Sequence, residues 1–169
     1  HVGLAQPRCF HVPLVVDSRP VYRLGRALVS TYLRLLHRFR AEGLEHLPRA
    51  GGVLIVANHQ SYLDIPIVAA STSRHVAFVA RATLARSRFL AFVMRESGSV
   101  LIQPNTPDRA ALEAMIGHLV QGDCVAVFPE GTRTRDGSMG LFRAGAAVAA
   151  RRAGVPIVPA AIRGAFEAW

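Results

Sequence analysis

The chain has 169 residues, 51% of them hydrophobic, and its 20 basic residues, all arginine, outnumber 11 acidic ones to give a formal net charge of +9. This length indicates one domain, and no charge-free apolar run reaches the roughly 18 residues that a membrane-spanning helix needs. The positive charge favours an anionic phospholipid, coenzyme A or an acidic carrier protein as a partner, since no nucleic-acid-binding signature is present.

The first predicted element is a basic amphipathic helix. Residues 1–19 show no periodicity and remain an unassigned linker or flank, whereas apolar residues recur at helical spacing from Val21 to Phe39 with arginines between them. The apolar positions are Leu24, Leu28, Tyr32, Leu35, Leu36 and Phe39, and the arginines are Arg23, Arg26, Arg34 and Arg38. Such a helix either lies in a membrane interface or packs on the protein's own core. The spacing alone leaves both possibilities open.

Strand-like runs and helical stretches alternate along the rest of the chain. The predicted strands are Val53–Ala57, His75–Ala80, Ser99–Ile102, Val125–Phe128 and Pro156–Ile162. The predicted helices are Ile65–Ser71, Leu84–Glu96, Asp108–Val120 and Leu141–Arg152. This alternation predicts an α/β fold with a largely parallel central sheet flanked by helices, and residues 42–169 are assigned to one such domain.

A histidine and a carboxylate follow the first predicted strand. The segment Asn58–Asp64 places His59 before Asp64 across a predicted strand-to-helix turn. An imidazole whose second nitrogen is held by a carboxylate is suited to take a proton from a hydroxyl. Because the chain contains no Gly-x-Ser-x-Gly nucleophile elbow, that hydroxyl is expected to belong to a substrate.

The same segment also has a purely structural interpretation. Ser61 and Asp64 match a capping-box pattern, which starts a helix without any chemistry. Both interpretations can hold together, but residues five apart lie about 140° apart around an α-helix. His59 must therefore precede the helix if it is to meet Asp64, with Pro66 in the first turn, where a missing N–H is tolerated.

A second polar segment follows a later strand. Val125–Phe128 leads into Pro129–Gly137, and loops at the carboxyl ends of strands in an α/β sheet are where ligands bind. Gly131 permits close approach of the backbone, while Thr132 and Arg133 offer donors, the arginine fork matching a phosphate. The alternative is a solvated charged turn.

Cysteine and histidine content bears on compartment and metal binding. Cys9 and Cys124 are too few and too far apart for a disulfide framework or a zinc site, which favours a reducing compartment. The 7 histidines show no metal-ligand spacing, so no metal is expected. His1 in place of an initiator methionine, and Trp169 without a following turn or tail, indicate a piece of a longer protein with its domain truncated at the C-terminus.

Several blocks together give the sequence a family resemblance. In chain order they are Asn58–Asp64, Phe128–Arg133, Phe142–Gly145 and Val155–Pro159, preceded by the lead-in Glu42–Pro48. They resemble the blocks of the glycerolipid acyltransferase family, typified by 1-acyl-sn-glycerol-3-phosphate acyltransferases. The resemblance runs from Pro20 to Trp169, and ordered blocks are more specific than any single one.

The resemblance implies an O-acyltransferase of phospholipid biosynthesis. The acyl group would pass from acyl-CoA or acyl carrier protein to a hydroxyl of a lysophospholipid, with 1-acylglycerol-3-phosphate as the first expectation, without a cofactor. His59 would be the general base, oriented by Asp64. The acceptor-binding residues would be Glu130, Gly131, Thr132 and Arg133. The resemblance also favours a membrane-associating role for the amphipathic helix, assigned to residues 20–41. The location implied is peripheral, on the cytoplasmic face of a membrane.

Two other classes of function stay open. A thioesterase or lipid hydrolase would use water or Ser61 in place of the acceptor hydroxyl. A non-catalytic basic module would bind a membrane without using the His59 and Asp64 pair. In the enzyme, backbone N–H groups near the turn at Glu130 and Gly131 are candidates for an oxyanion site.

One block departs from the family pattern. Where the family has Gly-x-x-x-Ile/Val-Asp-Arg, this chain has Gly98–Pro104, and it lacks the arginine associated with the acceptor phosphate. Gln103 carries no charge, and Pro104 fixes the local backbone. Arg109 is predicted at the start of a helix, whose N-terminus favours a phosphate. Either Arg109 substitutes, or the acceptor carries a different headgroup, or Arg109 is only surface charge.

Overall fold

The structure is a computed structural model, which describes residues 20–81, 99–102 and 108–168. Its described helices are α1 (Pro20–His37), α2 (Asp64–Ser71), α3 (Asp108–Val120) and α4 (Gly145–Ala153). Its described strands are β1 (Val53–Ala57), β2 (Val76–Arg81), β3 (Val100–Ile102), β4 (Cys124–Val127) and β5 (Ile157–Ala160). This alternation of strands and helices confirms the α/β fold.

The described strands form one sheet in the order β3-β2-β4-β1-β5, and all of its pairings are parallel. Strands β1 and β4 are neighbours near the middle, with Val53 opposite Cys124 and Val56 opposite Val127. Because parallel strands end at the same edge, the segments that follow β1 and β4 meet at the carboxyl edge of the sheet. These are the two polar segments of the sequence, Asn58–Asp64 and Pro129–Gly137.

Side chains of alternate strand residues build a core on each face of the sheet, as the period of a strand requires. On one face Ile55 and Phe78 pack in a cluster with Val68 of α2. On the other face Leu54 packs in a cluster with Leu119 of α3, together with residues of α4. Both faces are therefore covered, which is the usual condition of a parallel sheet.

The predicted element boundaries are correct for some elements and wrong for others. Val53–Ala57 and Asp108–Val120 have the predicted bounds, whereas the last helix begins at Gly145 rather than at Leu141. The reason is that the backbone before it is held elsewhere: Gly140 N–H bonds the Glu130 carboxylate and Arg143 N–H bonds the Pro129 carbonyl. The predicted helix Leu84–Glu96, the block residues 98 and 103–104, and the flank 1–19 lie outside the described residues.

Helix α1 leaves most of its apolar stripe exposed. Leu33 is buried, and Arg26 donates from Nη1 to the carbonyl of Thr72, at the end of α2, at 2.7 Å. The stripe, defined here as Leu24, Leu28, Tyr32, Leu35 and Leu36, is at least half exposed at every position. Packing on the described core therefore does not account for it. No helix in the described ranges is long and apolar enough to cross a bilayer.

Candidate active site

His59 and Asp64 form a hydrogen-bonded pair at the carboxyl edge of the sheet. His59 lies in the segment after β1, and Asp64 is the first residue of α2, so the histidine precedes the helix as the geometry of an i, i+5 pair requires. Nδ1 of His59 is 2.8 Å from Oδ2 of Asp64. The capping box of the second interpretation is only half formed. The Asp64 carboxylate accepts the Ser61 N–H, but α2 begins after Leu63, which makes no side-chain cap hydrogen bond.

Asp64 is fixed by backbone donors as well as by the imidazole. Its side chain is fully buried, and Oδ2 also accepts the N–H groups of Gln60 at 2.6 Å and Ser61 at 2.8 Å. The Ser61 hydroxyl oxygen accepts the N–H of Leu63 at 3.2 Å, as the serine of a helix start does. One carboxylate oxygen thus holds both the turn before α2 and the imidazole in a single arrangement.

The His59 ring has one nitrogen engaged and one without a hydrogen bond. The ring stacks on Phe128, with centroids 4.2 Å apart and planes inclined by 15°, and its side chain is 17% exposed. Because the Asp64 oxygen is an acceptor, Nδ1 is the donor, and in a neutral imidazole with this tautomer Nε2 is the acceptor. Nε2 bonds to nothing in the described part of the chain, so it is available to a hydroxyl.

The Glu130 side chain is hydrogen-bonded to the backbone of His59. Its Oε1 accepts the N–H of His59 at 2.9 Å, and its Oε2 accepts the N–H of Gly140 at 2.9 Å. The carbonyl of His59 is also bound, since it accepts the N–H of Thr134 at 3.0 Å. A Cβ at Gly140 would lie 2.9 Å from Oε2, so this contact needs glycine. Glu130, which the resemblance assigns to the acceptor, is 7% exposed and has both oxygens on backbone N–H groups.

The other acceptor-binding candidates lie in the loop after β4. Gly131 has a φ of 71°, and its N–H donates to the Phe128 carbonyl at 3.0 Å, so it is not free to bind an oxyanion. Thr132 is exposed. The guanidinium of Arg133 lies over the Tyr62 ring, 3.6 Å from its centroid, which joins this loop to the turn that carries the pair.

This loop encloses an open cavity of about 470 Å³, within the usual range of small-molecule sites. The charged residues that line it are Glu130, Arg133, Arg135, Asp136 and Arg143. Hydrogen bonds from the Ser138 hydroxyl and N–H, and then from the Thr134 hydroxyl, lower the pKa of Asp136 from 3.8 to about 2. Asp136 is thus ionised at neutral pH and ties the loop together.

Arg109 does not line this cavity. It is exposed in the first turn of α3, which follows the edge strand β3, and β2 separates β3 from β4. Within the described ranges it makes no hydrogen bond or ion pair. The structure therefore brings together His59, Asp64, Glu130 and the loop residues 131–133, but does not bring Arg109 to them.

A second histidine and aspartate with the same spacing lie at the opposite edge of the sheet. Nδ1 of His118, in the last turn of α3, is 2.8 Å from Oδ2 of Asp123, which directly precedes β4. This pair lies at the amino edge, away from the loops that follow β1 and β4. The spacing alone does not mark a site, whereas the position after a strand does.

A larger cavity of about 740 Å³ lies beside α1 and α2. It is lined by apolar residues such as Leu33 and Ile67 and by the segment 158–165, and it reaches Leu63 but neither His59 nor Asp64. The His59 and Asp64 pair therefore lies outside this cavity.

Sequence analysis missed three residues that shape the site. Phe128 stacks on His59, the ring of Tyr62 contacts the Arg133 guanidinium, and the N–H of Gly140 donates to Glu130. All three lie in or beside the polar segments. The sequence does not show which residue an aromatic ring or a glycine N–H there will contact. Only contacts between distant segments reveal their roles.

Comparison with known proteins gives three findings. A family model described as Acyltransferase matches residues 38–163. The chloroplastic 1-acyl-sn-glycerol-3-phosphate acyltransferase LPAT1 of Arabidopsis thaliana is 32% identical over 144 residues, which cover 83% of this chain and 40% of that protein. The human 1-acyl-sn-glycerol-3-phosphate acyltransferase alpha is 34% identical over 163 residues, which cover 92% of this chain and 56% of that protein.

A solved structure is similar as well. The 1-acyl-sn-glycerophosphate acyltransferase PlsC from Thermotoga maritima superimposes with a TM-score of 0.70 at 28% identity, covering 90% of this chain and 64% of that one. The chain thus spans 40% and 56% of the two relatives described above. The likeness therefore extends over sequence and fold together.

Proposed function

Because this chain belongs to the acyltransferase family, we propose that it transfers a fatty acyl group from an acyl thioester to a hydroxyl of a lysophospholipid. The observation that carries the proposal is the His59 imidazole, held through Nδ1 by Asp64 with Nε2 unbonded within the described residues. That is the arrangement of a general base that takes its proton from an incoming hydroxyl.

The proposed reaction needs no covalent acyl-enzyme. Nε2 of His59 removes the proton from the acceptor hydroxyl as its oxygen attacks the thioester carbonyl carbon, which places the charge of the intermediate on the carbonyl oxygen. When the carbon–sulfur bond breaks, the thiolate leaves and takes the proton from the imidazolium. Asp64 keeps the tautomer and stabilises the imidazolium in between.

The serine of the segment does not suit the alternative of a hydrolase with its own nucleophile. Ser61 is 3% exposed, and its hydroxyl oxygen accepts the N–H of Leu63. A nucleophile must reach both the base and the substrate carbonyl. Burial and this bond keep Ser61 from the substrate, so the nucleophile comes from outside the chain as the acceptor's hydroxyl or as water.

The acceptor that fits best is 1-acylglycerol-3-phosphate, with acyl-CoA or acyl carrier protein as donor. The names of the Arabidopsis and human relatives give that acceptor for those proteins. In this chain the loop cavity with Arg133 beside the pair supports an anionic acceptor, because an arginine fork matches a phosphate. In this proposal His59 and Asp64 are the catalytic residues, and the loop after β4 binds the acceptor.

The proposed location is the cytoplasmic face of a membrane, reached through α1. The apolar stripe of α1 is exposed, and the helix has arginines and no acidic residue in its first turn. Apolar side chains flanked by arginines suit an interface of anionic headgroups, where a lysophospholipid acceptor has its acyl chain.

A thiol-release assay tests the proposed function. The chain is mixed with an acyl-CoA, with and without 1-acylglycerol-3-phosphate, and free thiol and diacyl product are measured. We expect thiol release only with the acceptor, matched by diacyl product. Release without the acceptor would indicate a thioesterase instead, and no release in either case would indicate a binding module.

A further inference from the structure

Arg143 occupies a defined position in the loop cavity. Its backbone N–H donates to the Pro129 carbonyl at 3.0 Å, which holds the residue against the loop after β4. Its guanidinium lies over Gly131, because a Cβ built there would be 3.3 Å from both Cζ and Nε. Glycine at position 131 therefore does two things: it adopts the left-handed φ of 71° and leaves room for the guanidinium.

The arginines of the cavity have no carboxylate partner among the described residues. Within the described ranges Arg133, Arg135 and Arg143 form no ion pair, and the Arg133 guanidinium lies over the ring of Tyr62. The two acidic residues of the lining make hydrogen bonds to other groups. Glu130 accepts two backbone N–H groups, and Asp136 accepts hydrogen bonds from Ser138 and Thr134. Unpaired guanidinium groups around an open cavity form a site for an external anion.

This cavity is coupled directly to the catalytic pair. Two of its lining residues, Glu130 and Thr134, bond the N–H and the carbonyl of His59. An anion held by the arginines therefore lies beside the backbone of the general base. In a reaction that depends on placing a hydroxyl at Nε2, an anchor at this place fixes the rest of the acceptor.

Arg133 is already assigned to the acceptor by the resemblance. We propose that Arg143 is a further residue that binds the phosphate group of the acceptor, and that it supplies the cation that the chain lacks at Gln103. The inference rests on the proposed function and deepens it, because it keeps a phosphate monoester as the acceptor headgroup. Arg109, the replacement considered from sequence, does not line the cavity, whereas Arg143 does.

Steady-state kinetics of single variants test this site. Arg143→Ala, Arg143→Lys, Arg109→Ala and Arg151→Ala are compared, Arg151 being an exposed arginine of α4 outside the cavity. Arg143→Ala is expected to raise the KM for 1-acylglycerol-3-phosphate about tenfold or more with little change in kcat, since a hydrogen bond to a charged group is worth roughly that factor. Arg143→Lys is expected to recover part of the loss, and Arg151→Ala to leave KM unchanged.

A phosphate can also belong to the donor, so the KM for acyl-CoA is measured in parallel. A rise in the KM for acyl-CoA alone would assign the cavity to the donor and overturn the proposal. An acceptor KM within twofold of the unsubstituted protein, or a rise with Arg109→Ala and not with Arg143→Ala, would overturn it too. These results differ from failure of the proposed function, in which the unsubstituted protein itself shows no acceptor-dependent turnover.

Discussion

The Glu130 carboxylate and the peptide N–H of His59 are joined by a hydrogen bond of 2.9 Å across 71 residues of sequence. The other carboxylate oxygen bonds Gly140 in the loop that carries the cavity. The catalytic segment and the acceptor loop are therefore held in register by one buried side chain, which acts on the backbone of the base and not on the substrate.

Glu130→Gln tests this positioning role. The amide replaces one acceptor oxygen with a donor, which then faces a backbone N–H, and losing a hydrogen bond to a charged group costs about 1.5–3 kcal/mol. We expect kcat to fall by roughly 10- to 100-fold on the same scale, with little change in the acceptor KM. Glu113→Gln is the matched control, because Glu113 is an exposed acid paired with Arg152. A raised acceptor KM at unchanged kcat would instead show that Glu130 binds the acceptor, as the resemblance implies.

Local sequence patterns predicted part of this architecture. The apolar run of β1 and the periodicity of α3 gave correct bounds, and the spacing of five residues placed His59 before the helix that Asp64 begins. These features depend on neighbours in sequence, which is why a pattern can reveal them. The predicted site residues other than Arg109 also lie together, because parallel strands carry their following loops to one edge.

Contacts between distant segments were not predictable in the same way. The start of α4 at Gly145 depends on the bond between Glu130 and Gly140, which no local pattern encodes. The position of Arg143 depends on the space over Gly131. The pair His118 and Asp123 shows the converse, since a matching spacing occurs at an edge where no candidate site lies.

Gly52 is predicted to be indispensable for stability. A Cβ at this position would lie 2.1 Å from the Leu119 carbonyl oxygen and 2.8 Å from a Val155 methyl group, so the backbone before β1 would have to move. Gly52→Ala should lower the free energy of unfolding by about 1–3 kcal/mol, which urea unfolding monitored by circular dichroism measures. Gly117→Ala is the control: its Cβ meets open space within α3, so it should stabilise by about 1 kcal/mol. Equal midpoints for the two variants would contradict this account.

Membrane binding through the α1 stripe is predicted to need both apolar contact and charge. Replacing exposed Leu28 and Leu35 by Gln should weaken sedimentation with anionic vesicles by more than tenfold, since burying each leucine is worth about 1.5–3 kcal/mol. Val120→Gln, at an exposed apolar residue on α3, should leave binding unchanged. Added salt should also weaken binding, because each arginine near the surface contributes about 1 kcal/mol. If binding is the same for neutral and anionic vesicles and is unchanged by the leucine substitutions, α1 does not form the membrane contact.

Cys124 is predicted to be chemically inert in the folded protein. Burial raises the pKa of its thiol from 9.0 to about 11, and its side chain lies within the core. At pH 8 only about one molecule in a thousand would carry the reactive thiolate. The raised pKa also means that this group's contribution to stability is lost as the pH rises from 9.0 toward about 11. A Cys9→Ser variant should react with a thiol reagent at pH 8 only after denaturation, and rapid reaction of the folded variant would contradict the burial.

The two histidine and aspartate pairs of this chain allow the most direct test of the catalytic assignment. Both pairs have the same spacing and the same 2.8 Å hydrogen bond, but only His59 lies at the carboxyl edge beside the loop cavity. Acceptor-dependent thiol release is measured for His59→Ala and His118→Ala, each shown by circular dichroism to be folded. We expect His59→Ala to lose about 100- to 10,000-fold in turnover, the usual contribution of general-base catalysis, and His118→Ala to keep near-normal turnover. A folded His59→Ala variant with near-normal turnover would contradict the mechanism.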